Sequence, residues 1–257
     1  PLIDIRVISP GAAAKFFDKK AIREKLPRTK DASEENFYSS NWRNTATGDW
    51  EIGFFDSLAI YDCQFWNYKQ KQQKGDKYSF VLENNGKEVT VNVGNLKHGL
   101  RNITIDGKRG EYEAITSSTL PDYPTKDSRK GFVDSGYDPT DSVTIVGWLK
   151  DMPEQAWQRG REFSVALNDF FKTSEEDEYT KVDSLGRFCL KMSLLNSSQA
   201  FIDWEHTTAS SVLEPGKTYF LLNDFKKGQK LWMGDDVRLQ NELLSYPHTW
   251  EQARSRS

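Results

Sequence analysis

Cysteine is scarce in this chain: Cys63 and Cys189 are the only two among 257 residues. Two residues make no disulfide framework, and with no CxxC pair neither zinc chelation nor dithiol redox chemistry has its ligands. Histidine is nearly as rare. His98, His206 and His248 lie far apart with no i, i+4 pair, so each reads as a surface or turn residue rather than a metal ligand. No apolar run approaches the roughly 18 residues that span a bilayer, and mean hydropathy is −0.72; no transmembrane span is expected. Neither sign of charge dominates. The 35 Lys and Arg against 38 Asp and Glu give a net charge of −3, which excludes an overwhelmingly basic nucleic-acid binder. GxSxG, Walker, GxGxxG and HExxH motifs are all absent, and nothing points to a cofactor.

What the chain has is aromatic rings, 13% of its residues and eight of them Trp, a composition opposed to disorder. Residues 12–26 carry the clearest helical pattern of the first half, with Ala14, Phe17 and Ala21 near helical spacing. Basic residues dominate it. A basic amphipathic helix can lie on a membrane surface, but the narrow apolar face favours a solvated helix packed on a sheet. From Trp50 to Ile115 the period is two, in runs such as Leu58–Trp66, Tyr78–Leu82 and Val89–Val93. Asn85-Gly86 and Asp106-Gly107 are hairpin turns, because both central residues tolerate positive φ. With no helix between the strands, the block reads as antiparallel. Residues 121–141, rich in Pro, Gly and Asp, read as a linker or long loop.

After the linker, strands are expected over Ser142–Leu149, Glu162–Phe170, Tyr179–Val182, Phe188–Leu194, Ala200–Glu205 and Thr218–Asn223. Gly186 and Gly216 supply the left-handed residues of their turns. Gly234–Tyr246 suggests a terminal helix. The fold class is therefore all-β: two antiparallel β-sandwich-like domains over 1–120 and 142–246, with a short N-terminal helix, a C-terminal connector helix and a tail over 247–257. The chain begins at Pro1 without an initiator Met, from removal of a leader or from trimming; from Pro247 to Ser257 it loses apolar periodicity and reads as cut off there rather than finished.

Candidate chemistry is thin. Asp203 and Glu205 share one face of a strand about 7 Å apart, near an inverting glycosidase's spacing, yet same-strand carboxylates ordinarily point to solvent. Asp134, Asp138 and Asp141 offer hard oxygen ligands to calcium, but Asp is common in turns. Trp50, Trp66 and Trp148 sit in apolar strand contexts and read as core. Trp42 and Trp157 sit in polar surroundings and are the candidate ligand-binding residues, for glycan stacking; loop anchoring is the competing role and the favoured one. Both Cys read as buried strand residues behaving as small hydrophobes.

Three segments then form an ordered series: Val182-Asp183-Ser184-Leu185-Gly186-Arg187-Phe188, Val212-Leu213-Glu214-Pro215-Gly216-Lys217-Thr218-Tyr219, and Met233-Gly234-Asp235-Asp236 running on to Leu243. The series resembles the β-rich region preceding the thioredoxin domain in TlpA/ResA-like thiol-disulfide oxidoreductases of Bacteroides-type cell envelopes. Thr47–Gly53 and Phe65-Trp66-Asn67-Tyr68 extend the resemblance to the first half. It implies an exported protein of the periplasm or outer-membrane-associated envelope, and an accessory module rather than a catalyst. The CxxC of that family has no counterpart here, so no redox role carries over. The expected function is a non-catalytic interaction or scaffolding module, with a protein partner or a C-terminal redox domain as its counterpart. A glycan-binding β-sandwich is the alternative.

Overall fold

A computed structural model of the chain describes residues 36–116, 142–157, 162–168, 177–204 and 207–245. The expected basic helix, the linker over 121–141, the Asp134–Asp141 loop and the tail all lie outside these residues. The described part belongs to one compact unit, Asn36–Ser257.

Eight strands come first: β1 (Ser39–Asn44), β2 (Trp50–Phe55), β3 (Leu58–Tyr61), β4 (Gln64–Lys74), β5 (Lys77–Asn84), β6 (Lys87–Val93), β7 (Leu100–Ile105) and β8 (Lys108–Ala114). Each pairs antiparallel with the next, and β8 returns to pair with β1, Trp42 lying opposite Ala114. The expected sandwich-like first half is thus a closed barrel, whose closure leaves no edge strand unpaired. Asn85-Gly86 and Asp106-Gly107 do turn with positive φ at both positions (50° and 78°, 45° and 78°). A third such turn, Asp62 (φ 49°) and Cys63 (φ 55°), splits the run Leu58–Trp66 that the sequence presents as one strand.

Side chains fill the barrel, as an eight-stranded closure permits. Phe37, Trp42, Phe54, Trp66 and Phe80 interlock there, Phe37 stacking on Tyr78 at 3.8 Å and on Phe54 at 4.7 Å. Arg101 points inward from β7 and is only 5% exposed. Its guanidinium lies 5.4 Å from the Phe37 ring and 5.5 Å from Trp42. It donates to the Asp76 and Gly94 carbonyls at 2.8 and 2.7 Å and to the Asp76 carboxylate at 2.6 Å, so the ion is both paired and hydrogen-bonded where it is buried.

The second half has β9 (Ser142–Lys150), the one-turn helix α1 (Glu154–Trp157), β10 (Glu162–Asn168), β11 (Asp177–Lys181), β12 (Arg187–Ser193), β13 (Ser198–Trp204), β14 (Thr207–Leu213), β15 (Thr218–Asp224), β16 (Gln229–Met233) and α2 (Arg238–Ser245). They form two four-stranded sheets, β11-β10-β13-β14 and β12-β9-β15-β16, around one shared core that includes Val165, Ile202, Ile145 and Leu190. One pair departs from the antiparallel expectation: β9 and β15 run parallel. Strand β12 alternates cleanly, with Phe188, Leu190 and Met192 buried. Cys189 is therefore on its exposed face, which corrects the expectation of a buried thiol.

Barrel and sheet pair meet through a third core. Strand β15 is buried on both faces: Tyr219 and Leu221 enter the sheet-pair core, while Phe220 and Leu222 face the barrel. Against them lie Trp50, Phe55, Leu58 and Ile60 from the barrel wall. A register slip places Trp42 opposite Ile52 but Arg43 opposite Trp50. The extra residue, Glu51, lets Trp50 join this outer cluster while Ile52 stays inside, because one residue of slip exchanges the two faces. The rings meet edge to face, Phe220 at 5.9 Å from Trp50 and 5.0 Å from Phe65, and Phe55 at 4.9 Å from Trp148, the geometry that ring quadrupoles favour.

Candidate functional site

The seam between barrel and sheet pair is held by polar groups as well as rings. Gln229, only 6% exposed, accepts from the Asn41 amide at 2.8 Å and donates to the Ile115 carbonyl at 2.9 Å. The Ile115 N–H donates to the Asn41 carbonyl at 2.8 Å, closing a three-residue ring of hydrogen bonds. Lys227 donates to the Ser39 carbonyl across the same boundary. At the side, the buried Asp224 carboxylate accepts from Lys150 at 3.0 Å and from the Lys227 N–H at 2.9 Å. Burial works against the Lys150 charge, but Asp151 and Asp224 outweigh it and raise its pKa.

Cys63 belongs to this boundary. The Asp62-Cys63 turn pushes it onto the sheet pair, where its N–H meets the Met233 sulfur at 3.3 Å. Its Sγ lies 3.3 Å from the Thr218 carbonyl oxygen and 3.4 Å from that of Met233, and either accepts the S–H. Burial, with the Asp62 charge beside it, pushes the thiol up to about 12. At neutral pH the group is a thiol rather than a thiolate nucleophile.

Beside this turn a cleft of about 710 Å³ opens along the seam. The barrel contributes Asp49, Glu51 and Asp62 to its lining, and the sheet pair contributes Asp235 and Asp236. No Lys or Arg is among its lining residues. Both oxygens of Glu51 are engaged, one by Asn44 at 3.0 Å and the other by the Tyr112 hydroxyl at 2.6 Å. Burial raises the Tyr61 pKa, and the charges of Asp62, Asp106 and Glu51 add to it. Tyr112 is raised by burial and then by its bond to Glu51. Burial leads both shifts, and the neighbouring carboxylates add to each. The arrangement suits a cation or a basic side chain; among the described residues no three His, Cys, Asp or Glu side chains converge as metal ligands.

The residues singled out from sequence scatter. Trp42 is inside the barrel, 3% exposed, with its indole N–H donating to Ser40 Oγ at 2.7 Å; burial leaves no open ring face for a sugar. Trp157 ends α1 and is half-buried against the sheet-pair core. Trp50 and Trp66 are buried. Trp148 is half-buried at the seam. His98 sits in an exposed turn at φ 53°. Glu205, His206 and His248 lie outside the described residues, so the Asp203–Glu205 pairing does too.

Sequence reasoning missed the cleft because its parts come from the β1–β2 connection, the β3–β4 turn and the segment after β16. Asp49 and Glu51, within Thr47–Gly53, and Gly234-Asp235-Asp236 fall in segments that carry the resemblance, but as strand and turn patterns and not as one recess. The run Leu58–Trp66 hides its turn for a physical reason: both faces of β3 are buried, one in the barrel and one in the seam, so apolar alternation carries no phase. Comparison of the chain with protein-family models, with curated proteins and with solved structures found no match.

Proposed function

We propose that the chain is a non-catalytic interaction module of an exported, cell-envelope thioredoxin-like protein, and that its seam cleft receives a basic segment of a protein partner. The envelope setting rests on the sequence resemblance, and the interaction role is supported by the acidic cleft. Five carboxylates from two halves of the fold line one recess that contains no basic side chain, and the two halves are fixed against each other by a buried ring cluster. A rigid recess spends little ordering entropy on binding, and like charges gathered there attract a complementary partner in a salt-dependent way. Cys63 supports the non-catalytic part, since its thiol serves as a buried donor to backbone carbonyls.

The test is a fluorescence-anisotropy titration with a labelled Lys/Arg-rich peptide against an oligo-glutamate control. Asp62→Asn with Asp235→Asn is the variant, chosen because Asn tolerates the positive φ of position 62. Binding of the basic peptide alone, weakened at least fivefold in the variant and by added salt, is the expected result. Equal affinity for both peptides, or no loss in the variant, overturns the reading.

A further inference from the structure

A second recess, independent of the seam, lies on the barrel and has a volume of about 460 Å³. Cross-strand register builds it. Gln72 lies opposite Ser79, Ser79 opposite Asn92, Asn92 opposite Thr104, and Thr104 opposite Arg109. One polar residue from each of five neighbouring strands, β4 to β8, thus forms a continuous row, and all five line the recess. With strands about 4.8 Å apart, the row is about 19 Å long. Its donors are oriented. Ser79 Oγ donates to Asn92 Oδ1 at 2.8 Å, which leaves the Asn92 amide hydrogens as donors. Arg109 Nε donates to Asn102 Oδ1 at 3.2 Å, which fixes the guanidinium and keeps its terminal nitrogens unpaired among the described residues.

The charge pattern is costly for the fold alone. Lys74 and Lys77 face each other directly across the β4–β5 hairpin, an arrangement that destabilises a sheet. The acid between them, Asp76, is already engaged by Arg101 and by the Leu96 N–H at 2.7 Å. Lys74, Lys77 and Arg109 line a recess whose lining includes no carboxylate. An anion in it relieves the repulsion. A row of amides and hydroxyls, each able to donate and accept, suits a chain of hydroxyl groups, and guanidinium with ammonium suits carboxylate or sulfate. A single-stranded nucleic acid needs stacking platforms. The one ring in the lining, Tyr78, is stacked on Phe37 at 3.8 Å.

We propose that this recess across β4–β8 binds an extended acidic oligosaccharide, with Arg109, Lys77 and Lys74 holding its anionic groups and Asn92 its hydroxyls. Calorimetric titration of the whole chain with a galacturonate tetramer and a heparin-type sulfated tetramer tests it, beside maltotetraose and oligo-dT as controls. At least one acidic tetramer is expected to bind. Lys77→Gln with Arg109→Gln weakens that binding tenfold or more, Asn92→Ala a few-fold, and Asp62→Asn with Asp235→Asn leaves it unchanged. Amide shift perturbations on the native chain, confined to β4–β8, supply a readout that does not depend on any variant folding. No binding by either acidic tetramer at millimolar concentration overturns the proposal. So does equal or tighter binding of maltotetraose or oligo-dT, or affinity unchanged in the double variant.

Discussion

The barrel and the sheet pair solve the same packing problem with different side chains. The barrel interior is built on rings, Phe37, Trp42, Phe54, Trp66, Phe80 and Tyr112, and an arginine sits within reach of two of them, Phe37 and Trp42, and of Tyr78 beside them. The sheet pair relies mainly on Val143, Ile145, Val165, Leu190, Met192 and Leu213. Closure explains the difference. Eight strands joined in a ring fix the bore, so the filling must be large and interlocking. Two open sheets set their own spacing and close onto smaller side chains. The sheet pair has a problem that the barrel lacks, which is free edges. Helix α2 covers two of them: Asn241 pairs with both the N–H and the C=O of Trp232 on β16, at 2.9 and 3.1 Å, and Gln240 donates to the Val212 carbonyl on β14 at 2.7 Å.

The largest effect is expected where strand β15 of the sheet pair packs against the barrel. Phe220→Ala empties a fully buried site between Trp50 and Phe65 and is expected to cost about 3–5 kcal/mol. Urea unfolding followed by near-UV and far-UV circular dichroism is expected to shift both signals together. Separated transitions would show that barrel and sheet pair are energetically independent despite the shared core.

Next comes the edge device that sets the sheet pair apart. Asn241→Ala leaves the backbone N–H and C=O of the buried Trp232 without that partner, at about 1–3 kcal/mol. It is also expected to increase concentration-dependent association through β16, as read by light scattering. Loss of stability with no association would remove the edge-covering role and leave a packing role.

The smallest effect belongs to the barrel's ion pair. Burial alone would raise the Asp76 pKa, but hydrogen bonds from Arg101 and Leu96 and the Arg101 charge hold it below its ordinary 3.8. A lowered folded-state value stabilises above about pH 3.8, and that stabilisation fades as pH falls through the folded value. Because the Asp76 side chain is 46% exposed, solvent screening keeps the contribution under about 1 kcal/mol. Stability measured from pH 6 to pH 2 is expected to fall less steeply in Arg101→Met. An unchanged slope would assign the acid sensitivity to other carboxylates.

Local chemistry was legible in the sequence wherever one residue type answers one backbone demand. Asn85-Gly86, Asp106-Gly107, Gly186 and Gly216 all take the positive φ expected of them. Strand β9 and the clean alternation of β12 were visible because one face of each is distinct from the other. The Ser/Thr-rich β14, the short β16 and the polar end of β4 were missed. Their pairing comes from neighbours distant in sequence rather than from their own propensity.

The sequence by itself determined that this chain is a β protein with tight hairpins and an ample apolar core, since period and turn chemistry act over a few residues. Only the tertiary structure decided that β8 closes onto β1, that β15 serves two cores, and that Trp42 is filling rather than platform. It alone gathered Asp49, Glu51, Asp62, Asp235 and Asp236 into one cleft and Gln72 through Arg109 into one row. Those outcomes rest on cross-strand register and on which faces meet, and both are set by partners tens to hundreds of residues away.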